Sequence, residues 1–172
     1  MKVLHGRDPR NCTLAPVRPI AQDRPDYQED PMTNETAREM TTQTTDQDLI
    51  DLVTRYFAAV DAGNLDGVLK TLAIDCKFAV ETHGIELNGH HELRGMYERL
   101  WSNHAAMVHD QMRFVPDAGQ SRIAAQFRVV NTEFDGSTTI KSNCNFFTAQ
   151  YGRFSEVQVY MAGETTLDRA GA

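Results

Sequence analysis

The chain has 172 residues and a formal net charge of -7, with a sequence pI near 5.3, and no stripe of Lys and Arg runs along it. Nucleic-acid affinity comes mostly from clustered basic side chains that release counterions, so a phosphate-binding surface is excluded. Cys12, Cys76 and Cys144 form an odd set without CxxC spacing, which predicts free thiols in a reducing compartment and excludes a disulfide frame or a zinc ribbon. No apolar run approaches the ~20 residues of a membrane helix, and charge stands where a signal peptide would have its apolar centre. A cytoplasmic protein without membrane contact is expected, with one domain large enough to bury a core without staples.

Residues 1–45 hold five of the six prolines, charges of both signs and most of the polar run TNETAREMTTQTTDQD. Such a segment buries too little apolar area to offset its ordering entropy and is read as a disordered extension. Met32 would serve equally well as a start, and an arm that binds a partner is the functional alternative. The folded domain is expected over residues 46–163, followed by a frayed tail over 164–172.

The domain opens with Leu49–Gly63, where Leu49, Leu52, Val53, Tyr56, Phe57 and Val60 recur at three- and four-residue steps and lay one apolar stripe along a helix. Asp46 or Asp48 can cap its start and Gly63 its end. Tyr56 brings a hydroxyl to the buried side, and Asp61 ends the helix facing the strands that follow. Asn64 caps a second helix over 65–73, with Leu65, Val68, Leu69 and Leu72 as its stripe. Cys76–Thr82 reads as a strand, His83-Gly84 as a turn and Ile85–Gly89 as a short second strand. A third helix runs from His90 or His91 to Asn103, with Leu93, Met96, Tyr97 and Leu100 on one side.

Four strands follow: Met107–Val115, Arg122–Phe134, Thr138–Gln150 and Arg153–Met161. Asp135-Gly136 is a strong hairpin signal between the second and third. Alternation places Ile123, Ala125, Phe127 and Val129 on one face, then Ile140, Ser142, Cys144 and Phe146, then Val157, Val159 and Met161. Gln126, Arg128, Lys141, Asn143 and Gln158 are left for the outer face. In the first of these strands Val108, Met112 and Phe114 make the more apolar parity, which turns His109 outward unless a bulge shifts the register. Helices packed on one face of a curved antiparallel sheet is an α+β arrangement.

The order of these elements, with RYFAAVDAGNLDGVL, DCKFAV, LNGHHELRGMYERLW and YGRFSEVQVY, resembles the nuclear transport factor 2-like superfamily, also called SnoaL-like or ketosteroid isomerase-like. The resemblance covers about residues 46–162. It implies a cone-shaped barrel, three N-terminal helices on the sheet, and a deep apolar pocket for a hydrophobic small molecule. Because this fold carries isomerases, dehydratases, cyclases and binding proteins, function has to be argued from the site. In the ketosteroid isomerases the oxyanion tyrosine matches Tyr56 and a supporting tyrosine matches Tyr97. The general-base aspartate matches Val80, and the second aspartate matches Cys144 or a neighbour, so their mechanism is rejected. The dehydratases and dehydrochlorinases of the fold pair an aspartate at the end of the first helix with a histidine on the first long strand. Asp61 and His109 stand in those places, with Trp101 eight positions before His109.

These residues suit elimination. A carboxylate bonded to one imidazole nitrogen fixes the tautomer, and the other nitrogen takes a proton from carbon beside a carbonyl or leaving group. The expected roles are His109 as base, Asp61 as its orienter and Tyr56 as acid or oxyanion donor, with Tyr97, Trp101, Val80, Phe127, Cys144 and Phe146 lining the substrate site. This implies a lyase of dehydratase type or an isomerase that needs neither metal nor organic cofactor. His83, His90, His91 and His104 offer no common ligand geometry, because adjacent helix residues diverge by ~100°. The alternatives are a non-catalytic ligand-binding protein and a scaffold; a homodimer formed through the outer sheet face is expected in either case.

Overall fold

The computed structural model describes residues 44–167. The extension expected over 1–45 lies outside these residues except for its last two, as do Cys12 and residues 168–172 of the tail. Helix α1 (Asp46–Asp61) buries Leu49, Leu52, Val53, Tyr56, Phe57 and Val60, the stripe that the spacing predicts. Its cap is Thr45, not Asp46 or Asp48. The Thr45 hydroxyl accepts from the Asp48 N–H at 3.1 Å, and the Asp48 carboxylate accepts from the Thr45 N–H at 2.9 Å, so two orphan donors are satisfied reciprocally. The Thr45 hydroxyl also donates to the Asp48 carboxylate at 2.7 Å, and that bond, with the one from the Thr45 N–H, holds the carboxyl below its usual range. Gly63 takes the left-handed φ of 61° that ends the helical turn. Asn64 then accepts from the Gly67 N–H at 3.0 Å to start α2 (Leu65–Thr71). That helix is two residues shorter than expected, because Leu72 is already extended and pairs with Phe154.

Strand β1 (Leu72–Val80), a 3-10 turn (Glu81–His83) and β2 (Ile85–Asn88) precede helix α3 (Gly89–Asn103), which buries Leu93, Met96, Tyr97 and Leu100. Strands β3 (Ala106–Asp117), β4 (Arg122–Thr132), β5 (Thr138–Gln150) and β6 (Arg153–Tyr160) complete a six-stranded sheet of order β2-β1-β6-β5-β4-β3. The three helices pack on one side of this curved α+β sheet around a single apolar core. The sheet is not wholly antiparallel: β1 and β6 run parallel, since no hairpin joins them and the chain makes its whole meander between the two. It also stays open, with β2 and β3 as its edges.

Two register features decide which side chains face the helices. In β3 the pairing with β4 shifts between Asp110 and Arg113, and Gln111 adopts a left-handed φ of 52°. This bulge turns Met107 and His109 inward in the first half of the strand and Met112 and Phe114 inward in the second. In the β4–β5 hairpin the loop is not the two-residue Asp135-Gly136 turn. Glu133 and Ser137 close a longer loop, with the Glu133 N–H bonded to the Ser137 carbonyl at 2.9 Å, so that Thr132 pairs with Thr138 and Phe127 with Asn143. A two-residue turn would have paired Phe127 with Cys144. The one-residue difference inverts β5: Asn143, Asn145, Phe147 and Ala149 are buried, while Ile140, Ser142 and Phe146 are exposed. Cys144 and Phe146 therefore belong to the outer face, and Lys141 and Asn143 to the inner one, opposite to the sequence reading.

Candidate functional site

A cavity lies between the helices and the inner face of β3–β6, with about 500 Å³ of empty space counting its mouth toward solvent. It is narrow. Phe57, Val60, Phe78, Leu100, Met107, Phe127, Val129, Val159 and Met161 give it apolar walls. Polar groups reach it from Tyr56, Tyr97, His109, Asn131, Lys141, Asn143 and Asn145, and Thr166 with Leu167 closes one side.

Helix α1 delivers Asp61 at its last turn, and the bulged strand delivers His109 opposite Val129. The Asp61 carboxylate lies 2.5 Å from His109 Nδ1 through one oxygen and accepts the His109 backbone N–H at 2.9 Å through the other. Both oxygens thus fix a single residue, and the ring is held as the Nδ1–H tautomer with Nε2 free of any partner among the described residues. The His109 side chain is 8% exposed and that of Asp61 24%, so Asp61 is the solvent-side member. Phe57 and Phe127 flank the imidazole with ring centres at 4.6 and 5.3 Å. The carboxylate borders the cavity only through the ring.

The Tyr56 and Tyr97 hydroxyls meet at 2.6 Å in the interior. Burial pushes both phenols above their ordinary range, and for Tyr97 the neighbouring Tyr56 adds to it. Such a pair donates hydrogen bonds without ionising near neutral pH. Replacing Tyr97 by Phe is expected to strand the Tyr56 hydroxyl and to cost ~1–3 kcal/mol, measured by urea unfolding; an unchanged midpoint would show that the pair contributes nothing to stability.

The other expected lining residues separate. Phe127 lines the cavity. Trp101 stands behind it, stacked on Tyr97 with ring centres 5.6 Å apart and its indole N–H donated to the Val60 carbonyl at 2.9 Å, so it supports the wall from the far side. Val80 is fully buried core rather than cavity wall. Cys144 and Phe146 are turned away by the β5 register, and Phe146 packs edge-on against Tyr160 outside the cavity. Cys76, inward on β1, is a free thiol that burial pushes up to about 12, too high to serve as a nucleophile. Sequence reasoning missed Asn131, Asn143, Asn145 and Lys141. Asn131 continues the β4 parity of Phe127 and Val129, which could have found it; for Lys141, Asn143 and Asn145 the sequence carries no such signal, because an Asp135-Gly136 turn would pair Phe127 with Cys144. Among the described residues no group of three His, Cys, Asp or Glu is arranged to hold a metal ion, and no helix is long and apolar enough to cross a membrane.

Helices on a curved six-stranded sheet with a pocket between them define an α+β protein of the nuclear transport factor 2-like, ketosteroid isomerase-like kind. The model of the SnoaL-like domain matches residues 53–157, and the chain belongs to that family. No curated protein matches the sequence. Similar solved structures include a candidate polyketide cyclase from Xanthomonas campestris pv. campestris, 19% identical over 68% of this chain and 92% of its own, with a TM-score of 0.62. A second, from Pseudomonas putida KT2440, is 22% identical over 65% of this chain and 90% of its own, with a TM-score of 0.60. TerC, crystallised with polyporic acid, is 14% identical over 65% of this chain and 89% of its own, with a TM-score of 0.58.

Proposed function

We propose that this protein is an enzyme that acts on a hydrophobic small molecule by proton abstraction, leading to elimination or isomerisation without a cofactor. The observation that carries this reading is the Asp61–His109 pair set into the wall of an apolar cavity. His109 Nε2 takes a proton from carbon beside a carbonyl, and the electron pair moves onto the carbonyl oxygen as an enolate. With Tyr97 donating to Tyr56, the Tyr56 proton is left to bond the developing oxyanion. Loss of a β leaving group with its electron pair completes an elimination; return of the proton to another carbon completes an isomerisation. Burial raises the phenols, which makes Tyr56 a hydrogen-bond donor rather than a proton source.

The test uses 2-tetralone, an apolar ketone whose benzylic α-protons are acidic, in D2O, with loss of its α-proton signals followed by NMR. Wild-type protein is expected to speed exchange at least tenfold over buffer, and His109→Gln to return it to the buffer rate. Exchange that persists in His109→Gln would overturn the assignment. The narrowness of the cavity favours a second reading, a protein that binds and shelters an apolar ligand. Wild-type binding of the ketone without exchange would favour it.

The outer sheet face presents Val108, Val115, Ile140, Phe146 and Tyr160, each more than 40% exposed, and the homodimer is proposed to form there. Light scattering after size exclusion is expected to give a dimer mass for the wild type and a monomer mass for Phe146→Glu. A wild-type monomer would contradict it.

A further inference from the structure

Among the described residues, the amides of Asn131 and Asn145 have no explanation in the fold. Their side chains line the cavity, the residues are 2% and 4% exposed, and the carbonyl oxygen of each is buried without a hydrogen-bond partner. Asn143, two residues before Asn145 on β5, differs, since its oxygen accepts the Ala162 N–H at 3.1 Å. An amide oxygen buried without a partner is disfavoured against an apolar side chain of similar size, so two of them in one cavity need a reason outside the fold.

Their places along the sheet give that reason a shape. Asn131 pairs with Met107 and Thr139, beside the row in which His109 opposes Val129. It also borders the surface cleft formed with Lys141 and the Gly163–Thr166 segment, so it marks the end of the cavity nearest the surface. Asn145 pairs with Ala125 and Val159, next to Phe147, whose ring packs 5.6 Å from that of Tyr56, so it marks the inner end. Thr139, the partner of Asn131, and Asn145 are six positions apart on β5, roughly 20 Å of extended strand contour, shortened in space by the curvature of the sheet. Between them lie Phe127, Val129 and the His109 ring, with Lys141 and Asn143, whose polar atoms are already engaged by the Glu164 carbonyl and the Ala162 N–H.

We infer that Asn131 and Asn145 are the specificity-determining residues for a ligand that is apolar in its middle and oxygenated at both ends. Each amide presents a donor and an acceptor side by side, and the matching group is a hydroxyl, enol or carbonyl-hydroxyl pair that can do both. The inference rests on the reading that the cavity takes a hydrophobic small molecule, and adds which one. A ligand with a single polar end would leave one amide unpaired, and a plain hydrocarbon would leave both; discrimination against such analogues comes from those stranded groups.

The test uses a matched series, 4,4′-dihydroxybiphenyl, 4-hydroxybiphenyl and biphenyl, with affinities from isothermal titration of the wild type, Asn131→Leu and Asn145→Leu. The wild type is expected to bind the diol about tenfold or more tighter than biphenyl, and each variant to lose about 3- to 10-fold of that preference while holding biphenyl as well as before. Thermal melts without ligand are expected to show both variants at least as stable as the wild type, which an amide with a structural role would contradict. Should leucine overpack and lower the melting temperature, Asn131→Ala and Asn145→Ala repeat the titration with less volume. Equal binding of the three probes by the wild type, or an unchanged preference in both variants, would overturn the inference while leaving the pocket reading intact. Failure of all three to bind up to their solubility limits would overturn the pocket reading and this inference with it.

Discussion

Asp61→Asn is expected to remove most of the acceleration of proton exchange over buffer, up to the ~10²- to 10⁴-fold that a positioned base contributes, with little change in fold. The reason lies in how the two carboxylate oxygens are used. One accepts the His109 backbone N–H and the other faces Nδ1. An asparagine must keep its carbonyl on the backbone N–H, which has no acceptor in this place otherwise, so its NH2 group is turned toward Nδ1. Nδ1 then has to accept, the ring proton moves to Nε2, and the nitrogen that faces the substrate can no longer take a proton. Long-range ¹H–¹⁵N spectra of the imidazole check this directly: the Nδ1–H tautomer in the wild type and the Nε2–H tautomer in the variant. A variant that kept the wild-type tautomer and the wild-type rate would remove Asp61 from the mechanism.

The second large effect concerns stability. Phe57 is 3% exposed and holds together the rings of Tyr56, His109 and Phe127, with centres at 4.9, 4.6 and 4.6 Å. Truncation to alanine removes a full aromatic side chain from a packed interior and leaves a hole that helix and sheet cannot both close. A loss of about 3–5 kcal/mol is expected, read as a drop in Tm of ~10–20 °C for a domain of this size. Phe57→Leu keeps most of the volume and should lose much less. If alanine cost under about 1 kcal/mol, the contact between α1 and the β3–β4 strands would be far looser than described.

Much of the fold was legible from apolar spacing. The α1 stripe from Leu49 to Val60, the α3 face of Leu93, Met96, Tyr97 and Leu100, and the β4 alternation through Phe127 all follow from burying one side of a periodic element. The meeting of Asp61 with His109 was suggested by resemblance, and the alternation of β3 argued against it. What defeats alternation there is one left-handed residue, and nothing about the identity of Gln111 announces a positive φ. The β5 strand failed for a related reason. Asp135-Gly136 is the signature of a two-residue turn, but the chain spends five residues, 133–137, on the loop. The misreading was reinforced by chemistry, because the inward side of β5 faces a cavity and carries Lys141, Asn143 and Asn145, while the outward side carries Ile140 and Phe146. An apolar-inside rule reads such a strand backwards.

The bulge at Gln111 has a bearing on how variants of this chain can arise. It acts as a phase adjuster: the stretch of β3 before it and the stretch after it each keep their greasy side toward the helices, although the two are out of step with one another. Side-chain chemistry ahead of the adjuster can therefore change without disturbing the packing of Met112 and Phe114 behind it. Length cannot. Adding or removing one residue between His109 and Met112 would rotate the leading stretch by half a turn, presenting Val108 or Asp110 to the chamber in place of the imidazole.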